Sequence, residues 1–277
     1  AIKEYYDTVG DECVIKDGLE FISPKVSNFI SWGHTFIYRH LPLLFKYGYV
    51  YIEKHPTMFK EGSFVYRFIT RGTELMYTCI CDEQYDIIIC THVFTSLMLT
   101  DMLKKHPMNQ PTALVSTDYT CSPSTKDSNL DYYFIPDDEF ATDFECRTIT
   151  EEKLISSGIP VRQMFYRSIP KEEAKMSVGV QPNHHHLILM CGSMGCGPME
   201  DLTEKLKSIM PENVHLTVVC GTNEKLKKKI DRFSSRNIDV LGFTDYYVTV
   251  DQNMPGFMIE KFYINENGNE KCIAVVF

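Results

Sequence analysis

No stretch of this 277-residue sequence holds eighteen consecutive apolar residues, which excludes a membrane-spanning helix. Cysteine occurs ten times but without the dense, regular spacing of a disulfide scaffold, which excludes a small secreted framework. Cys90, Cys191 and Cys220 end apolar runs, where a free thiol behaves as a small hydrophobe. A reducing cytoplasm is the expected setting. Cys79-x-Cys81 is too tight for zinc and lacks a second pair, and adjacent residues in His184-His-His186 would point to opposite faces of a strand. No metal and no cofactor are expected. Positive charge is in deficit, and a net −9 argues against nucleic acid as a partner. The first residues, Ala1-Ile-Lys-Glu-Tyr-Tyr-Asp7, read as the end of a helix rather than a signal peptide.

What is present suits a globular protein. Apolar residues make up 44% and charged residues 23%, and the length suffices for two domains with buried cores. The charge is unevenly spread. From Phe21 to Arg71 seven basic residues face two acidic ones, a local +5 that leaves −14 for the remainder. The same window holds thirteen of the thirty-four aromatic residues, including the one tryptophan, Trp32. Phe29, Trp32, Phe36 and His40, then Leu43, Leu44 and Tyr47, fall at helical spacing, with breaks expected at Pro42, Gly48 and Pro56. Aromatic residues with basic neighbours are what an anionic lipid surface attracts, which marks Trp32, Phe36, Arg39 and Lys46 within an insertion spanning 21–78. The bland alternative is that these helices pack onto their own domain, and both readings can hold at once.

Along the chain, 12–21 reads as a strand. The apolar runs 86–91, 112–117 and 131–135 read as buried strands, separated by helices over 93–105 and 137–147, with a further strand at 158–161. Charge and proline without a core period mark 167–185 as a linker. A second run follows: strand 186–191, helix 198–209, strand 215–220, helix 224–233 and strand 238–241. The expected fold is α/β with two Rossmann-like, doubly wound domains, each incomplete: 1–166, then 186–245. The tail 246–277 carries an Asn267-Gly268 turn between two β-prone runs and reads as a hairpin. Two such domains place a ligand in the cleft between them, outside the carboxyl ends of their strands.

The chain is organised around Leu187-Ile-Leu-Met-Cys-Gly-Ser-Met-Gly-Cys-Gly-Pro198, an apolar strand that turns through three glycines into a proline-led helix. Glycine permits φ > 0 and close approach to a ligand, and the first amides of the helix lack internal partners. The stretch reads as a phosphate cradle. A bare strand-to-helix turn with no ligand is the alternative.

His92 after its strand, Thr117-Asp-Tyr-Thr120, Asp131-Tyr-Tyr-Phe-Ile-Pro136, Gly158-Ile-Pro-Val-Arg162, Gly192-Ser-Met-Gly-Cys-Gly-Pro198, Val219-Cys-Gly-Thr-Asn-Glu-Lys225 and Val240-Leu-Gly-Phe-Thr-Asp245 come in a characteristic order. In that order the sequence resembles the monogalactosyldiacylglycerol synthase and processive diacylglycerol glucosyltransferase family over about 1–245. The resemblance implies a B-type glycosyltransferase that moves a hexose from a UDP-sugar to diacylglycerol, peripheral on the inner face of the cell membrane. It implies donor contacts at Gly192, Ser193, Met194, Gly195, Gly197, Gly221, Asn223, Gly242, Phe243 and Thr244. On the acceptor side it implies Tyr119, with His92 and Asp118 as catalytic candidates. The family also carries a Gly-Gly-Gly-His loop ahead of the first helix and a Lys-Pro-Gly-Gly segment after the position of Asp245; this sequence shows neither, so a chain truncated at both ends is expected, with its activity as written an open alternative. Two further readings stand beside it: a UDP-sugar epimerase-like enzyme, and a non-catalytic peripheral membrane protein.

Overall fold

The computed structural model describes residues 1–163 and 170–244, together with the backbone of two strands in 259–266 and 269–276. The chain divides into two units, Ala1–Val161 and Arg162–Phe277.

In the first unit, helix α1 (Ile2–Val9) stops at Gly10, whose φ of 88° is the left-handed cap glycine adopts without strain. No strand forms over 12–21. Asp17 instead builds a turn, its carboxylate accepting from the Leu19 amide, and Gly18 sits so close to Thr95 that a Cβ there would collide with it. The Asp-Gly pair favours this local bonding over a ladder. Helix α2 (Pro24–His40) is capped by Ser23, which accepts from the Lys25 amide, and α3 (Pro42–Lys54) also starts on proline. Pro42 breaks the helix as expected, because it lacks an N–H; Gly48 does not, since one glycine costs only about 1 kcal/mol inside a helix. Helices α4 (Phe64–Ile69) and α5 (Thr73–Glu83) follow.

Four parallel strands then stand in sequence order: β1 (Ile88–Cys90), β2 (Thr112–Val115), β3 (Tyr132–Ile135) and β4 (Leu154–Ser156). Helix α6 (Val93–Lys105) joins β1 to β2 and supplies Leu97, Leu99 and Met102, all fully buried, to the core. Asp101 on its inner face accepts from the Tyr66 and Thr73 hydroxyls and pairs with Lys105 at 2.7 Å, which ties α4, α5 and α6 together. Two expectations need correction. The helix over 137–147 shrinks to a 3-10 turn (Asp138–Phe140) and a single turn, α7 (Ala141–Phe144), because the chain bends so that the Cys146 amide reaches the Ile149 carbonyl. The strand expected at 158–161 lies at β4 instead, since Pro160 has no N–H for a ladder and Gly158 adopts φ 77°.

In the second unit a short helix, α8 (Lys171–Ser177), lies inside the stretch read as linker. Strands β5 (His185–Met190), β6 (Val214–Val219) and β7 (Ile238–Leu241) form a parallel sheet, again in sequence order, with α9 (Met199–Ile209) and α10 (Glu224–Ile230) between them. Alternation sends Leu187, Leu189, Leu216, Val218, Ile238 and Val240 to the face covered by both helices, where Met199 and Ile230 are buried. Strands β8 (Ile259–Glu266) and β9 (Asn269–Val276) pair antiparallel. The Asn267-Gly268 turn and residues 245–258 lie outside the described residues. In both sheets the helical crossovers and parallel pairing give the α/β, Rossmann-like pattern that the sequence led us to expect.

Candidate active site

In the second unit the carboxyl ends of β5, β6 and β7 open into three loops that meet. The first, 192–197, uses φ of 63° at Gly192, 56° at Gly195 and 87° at Gly197. Two of the glycines on this shelf are required by packing. A Cβ on Gly195 would lie 2.0 Å from the Cys220 carbonyl oxygen, and one on Gly221 would lie 2.2 Å from the Ser193 carbonyl oxygen. Each loop thus occupies the room that the other's side chain would need. Around Gly192, by contrast, a Cβ would meet nothing within 4 Å. Gly242 brings in the third loop, where an added Cβ would lie 3.9 Å from the Gly221 carbonyl oxygen, and Phe243 next in sequence is 66% exposed.

Hydrogen bonds sort the amides. The Gly195 N–H donates to the Gly192 carbonyl and the Cys196 N–H to the Cys191 carbonyl, so both are used within the bend. The Ser193 carbonyl accepts from the Thr222 N–H at 2.8 Å and from the Thr222 hydroxyl at 3.2 Å. In a planar trans peptide the C=O and the following N–H point in opposite directions, so the Met194 N–H faces away from the second loop. Among the described residues it makes no hydrogen bond, and neither does that of Ser193 or Gly197. Asn223 differs from the sequence expectation: its Oδ1 accepts from the Leu226 amide and its Nδ2 donates 2.7 Å to the Gly195 carbonyl. Both ends of the side chain are engaged inside the protein. The start of α9 is also less inviting to an anion than its glycines suggest, because Glu200 and Asp201 occupy its first turn. Glu200 is held by Arg232 at 2.8 Å and Lys229 at 3.5 Å. The anion-binding capacity therefore narrows to the bend itself. Thr222, which sequence reasoning passed over, is the residue that fixes it; the signal available was a hydroxyl immediately after a strand-end glycine.

In the first unit His92 and Asp118 follow β1 and β2, neighbouring strands in register at Cys90 and Leu114. His92 caps α6: its Nδ1 accepts from the Phe94 amide at 3.1 Å. That bond puts the neutral ring's proton on Nε2. Packing desolvates the ring and lowers its proton affinity below the ordinary 6.5, with the Asp118 charge opposing. Tyr119, 61% exposed, meets Phe140 edge to face at 5.6 Å. The structure thus brings His92, Asp118 and Tyr119 to one end of one sheet.

Helices α2 and α3 carry two aromatic stripes. His34 and Tyr38 pack against Phe45, with centroids 5.4 and 5.2 Å apart, and join the helices. Phe29, Trp32, Phe36 and His40 line α2 with successive ring centroids 6.3, 5.3 and 4.9 Å apart, Trp32 and Phe36 stacked and the other two pairs tilted. Phe29, Trp32, Leu43, Leu44, Tyr47 and Tyr51 are all more than half exposed. The core cluster of this unit takes no member from 24–57 among the described residues. Lys46 is exposed; the side chain of Arg39 lies outside what is described. No helix among the described residues is long and apolar enough to cross a membrane.

Comparison with known proteins adds the following. The family described as "Monogalactosyldiacylglycerol (MGDG) synthase" matches residues 1–161. A processive diacylglycerol beta-glucosyltransferase of Bacillus subtilis (strain 168) is 26% identical over 196 residues, covering 67% of this chain and 48% of the relative. The chloroplastic monogalactosyldiacylglycerol synthase of Spinacia oleracea is 26% identical over 235 residues, covering 80% of this chain and 44% of the relative. The chain spans about half the length of the curated relatives it matches. Among solved structures, sucrose-phosphate synthase from Thermosynechococcus elongatus aligns with a TM-score of 0.44 at 9% identity, over 66% of this chain and 51% of that one.

Proposed function

The chain belongs to the monogalactosyldiacylglycerol synthase family, and from that premise we propose that it serves hexose transfer from a UDP-sugar to diacylglycerol. The observation that carries this reading is the shelf at the ends of β5–β7. Its Ser193, Met194 and Gly197 amides are without protein acceptors among the described residues, and the loop after β7 carries the exposed ring of Phe243. Such amides suit the diphosphate of a sugar nucleotide, and they would stabilise the charge that develops on departing UDP without reorganising. Gly242, Phe243 and Thr244 would frame the uracil, with Phe243 as an apolar wall. In the first unit Asp118 would take the proton of the acceptor hydroxyl, because the Nδ1 lone pair of His92 already holds the Phe94 amide. Tyr119 lies beside them. The open stripe of α2 and the exposed leucines of α3, with Lys25 and Lys46, would rest on the anionic face of the membrane that holds the diacylglycerol. The protein would then be peripheral on the cytoplasmic leaflet.

The test is to incubate the full chain with UDP-glucose or UDP-galactose and vesicles containing diacylglycerol, following UDP release and glycolipid formation. We expect turnover with one donor and UDP binding in the micromolar range. No turnover with either donor, together with no binding of UDP, would overturn the proposal.

A further inference from the structure

We infer that Thr222 and Asn223 are positioning residues for the glycine bend: together they orient the peptides on both sides of Met194 and Gly195, and so present the Met194 N–H to a nucleoside diphosphate. The inference rests on the donor reading of the shelf and assigns these two residues a task other than touching the ligand.

The geometry runs through two peptide units. In the unit joining Ser193 to Met194, the carbonyl is held by both donors of Thr222, so its N–H must point the other way, away from the second loop. In the unit joining Gly195 to Cys196, the carbonyl is held by Asn223 Nδ2 at 2.7 Å and the N–H by the Cys191 carbonyl at 3.3 Å. Both ends of that peptide are fixed, and it cannot flip. Between the two anchored units the backbone has few torsions left to vary, and Gly195 is pressed against the Cys220 carbonyl besides. Asn223 is in turn immobilised, because its Oδ1 caps α10 through the Leu226 amide and its own N–H reaches the Cys220 carbonyl. The bend is thereby fastened to β6 and α10 rather than left to its own flexible glycines. A preorganised donor orders less on binding, so fastening the bend tightens the hold on an anion without any added contact.

Three variants separate the parts. Asn223→Asp keeps an oxygen for the α10 cap but loses the donor to Gly195; Asn223→Ser keeps a capping hydroxyl, is neutral, and is too short to reach; Thr222→Val removes the hydroxyl yet keeps the backbone donor. Amide hydrogen exchange of the full chain should rise about tenfold at Cys196 in both Asn223 variants, as expected for one lost hydrogen bond, while Leu226 stays protected. UDP affinity, measured by calorimetry, should fall about tenfold in both, and the neutral serine shows that charge repulsion is not the cause. Thr222→Val should give a smaller loss. Unchanged exchange at Cys196 overturns the clasp. Raised exchange with unchanged UDP affinity overturns its positioning task. If the unsubstituted chain binds no UDP, the donor reading fails, and with it the ligand assigned to Met194; the exchange data still decide whether the bend is fastened as described.

Discussion

At the scale of single residues, the shelf distinguishes glycines that look alike in sequence. Gly192 and Gly195 both adopt positive φ, yet only Gly195 has a neighbour in the place of its missing side chain. Gly195→Ala or Gly221→Ala should therefore cost about 2–4 kcal/mol, combining left-handed strain with a collision against a backbone carbonyl. Gly192→Ala should cost only about 1 kcal/mol, the left-handed strain alone. Urea denaturation of the full chain measures both, and equal losses at 192 and 195 would contradict the interlock. Asn223 teaches a similar lesson. Its place after a strand-end glycine marked it as facing a ligand, but an asparagine one residue before a lysine-rich helix is also a helix cap, and the cap is what formed.

At the scale of elements, α2 and α3 contribute no described residue to the core of their unit. Replacing Trp32 and Leu43 together by glutamate should cut binding to vesicles containing phosphatidylglycerol by more than tenfold, while folding stability shifts by only about 0.5 kcal/mol, as for other exposed positions. Raising salt from 0.1 to 1 M shortens the screening length from about 10 to about 3 Å and should weaken the binding of the unsubstituted chain. Loss of stability with vesicle binding intact would return these helices to an ordinary packing role. The elements legible in the sequence were those with clear local signals: α6 runs from a histidine cap to a double lysine, and β2 is a fully buried four-residue run that starts directly after Pro111. The misread ones were set by distant partners. Residues 12–21 carry a strand-like apolar run, Cys13-Val-Ile15, but pair with no strand among the described residues, and 137–147 carry helical composition but turn back at Cys146 to meet Ile149. The glycine bends were legible because glycine at a strand end has few alternatives; which amides stay open was not, because donors on Thr222 and Asn223, some thirty residues further along the chain, decide it.

At the scale of the whole molecule, each unit has its own sheet and core, and each carries a histidine whose proton affinity is lowered in the folded state. For His92 the main cause is desolvation; for His186 it is desolvation, with the charges of His215 and Lys175 adding to it. The unfolded chain therefore binds more protons than the folded one just below the ordinary 6.5, so stability is lost as pH falls through that value. The thermal midpoint should drop between pH 7 and pH 5, and His92→Asn with His186→Asn should flatten that drop, since asparagine still caps α6 without titrating. A midpoint that keeps the same slope in the double variant would show that carboxylates alone set the acid limit.

The mutual fit of the bends after β5 and β6 has a mechanical corollary. Neither can slide past the other, because each backbone fills the other's vacancy. Tension applied at one bend is shared by both strands behind it. They would shift as a single rigid jaw, and a natural sequence change in one would call for a compensating change in its counterpart.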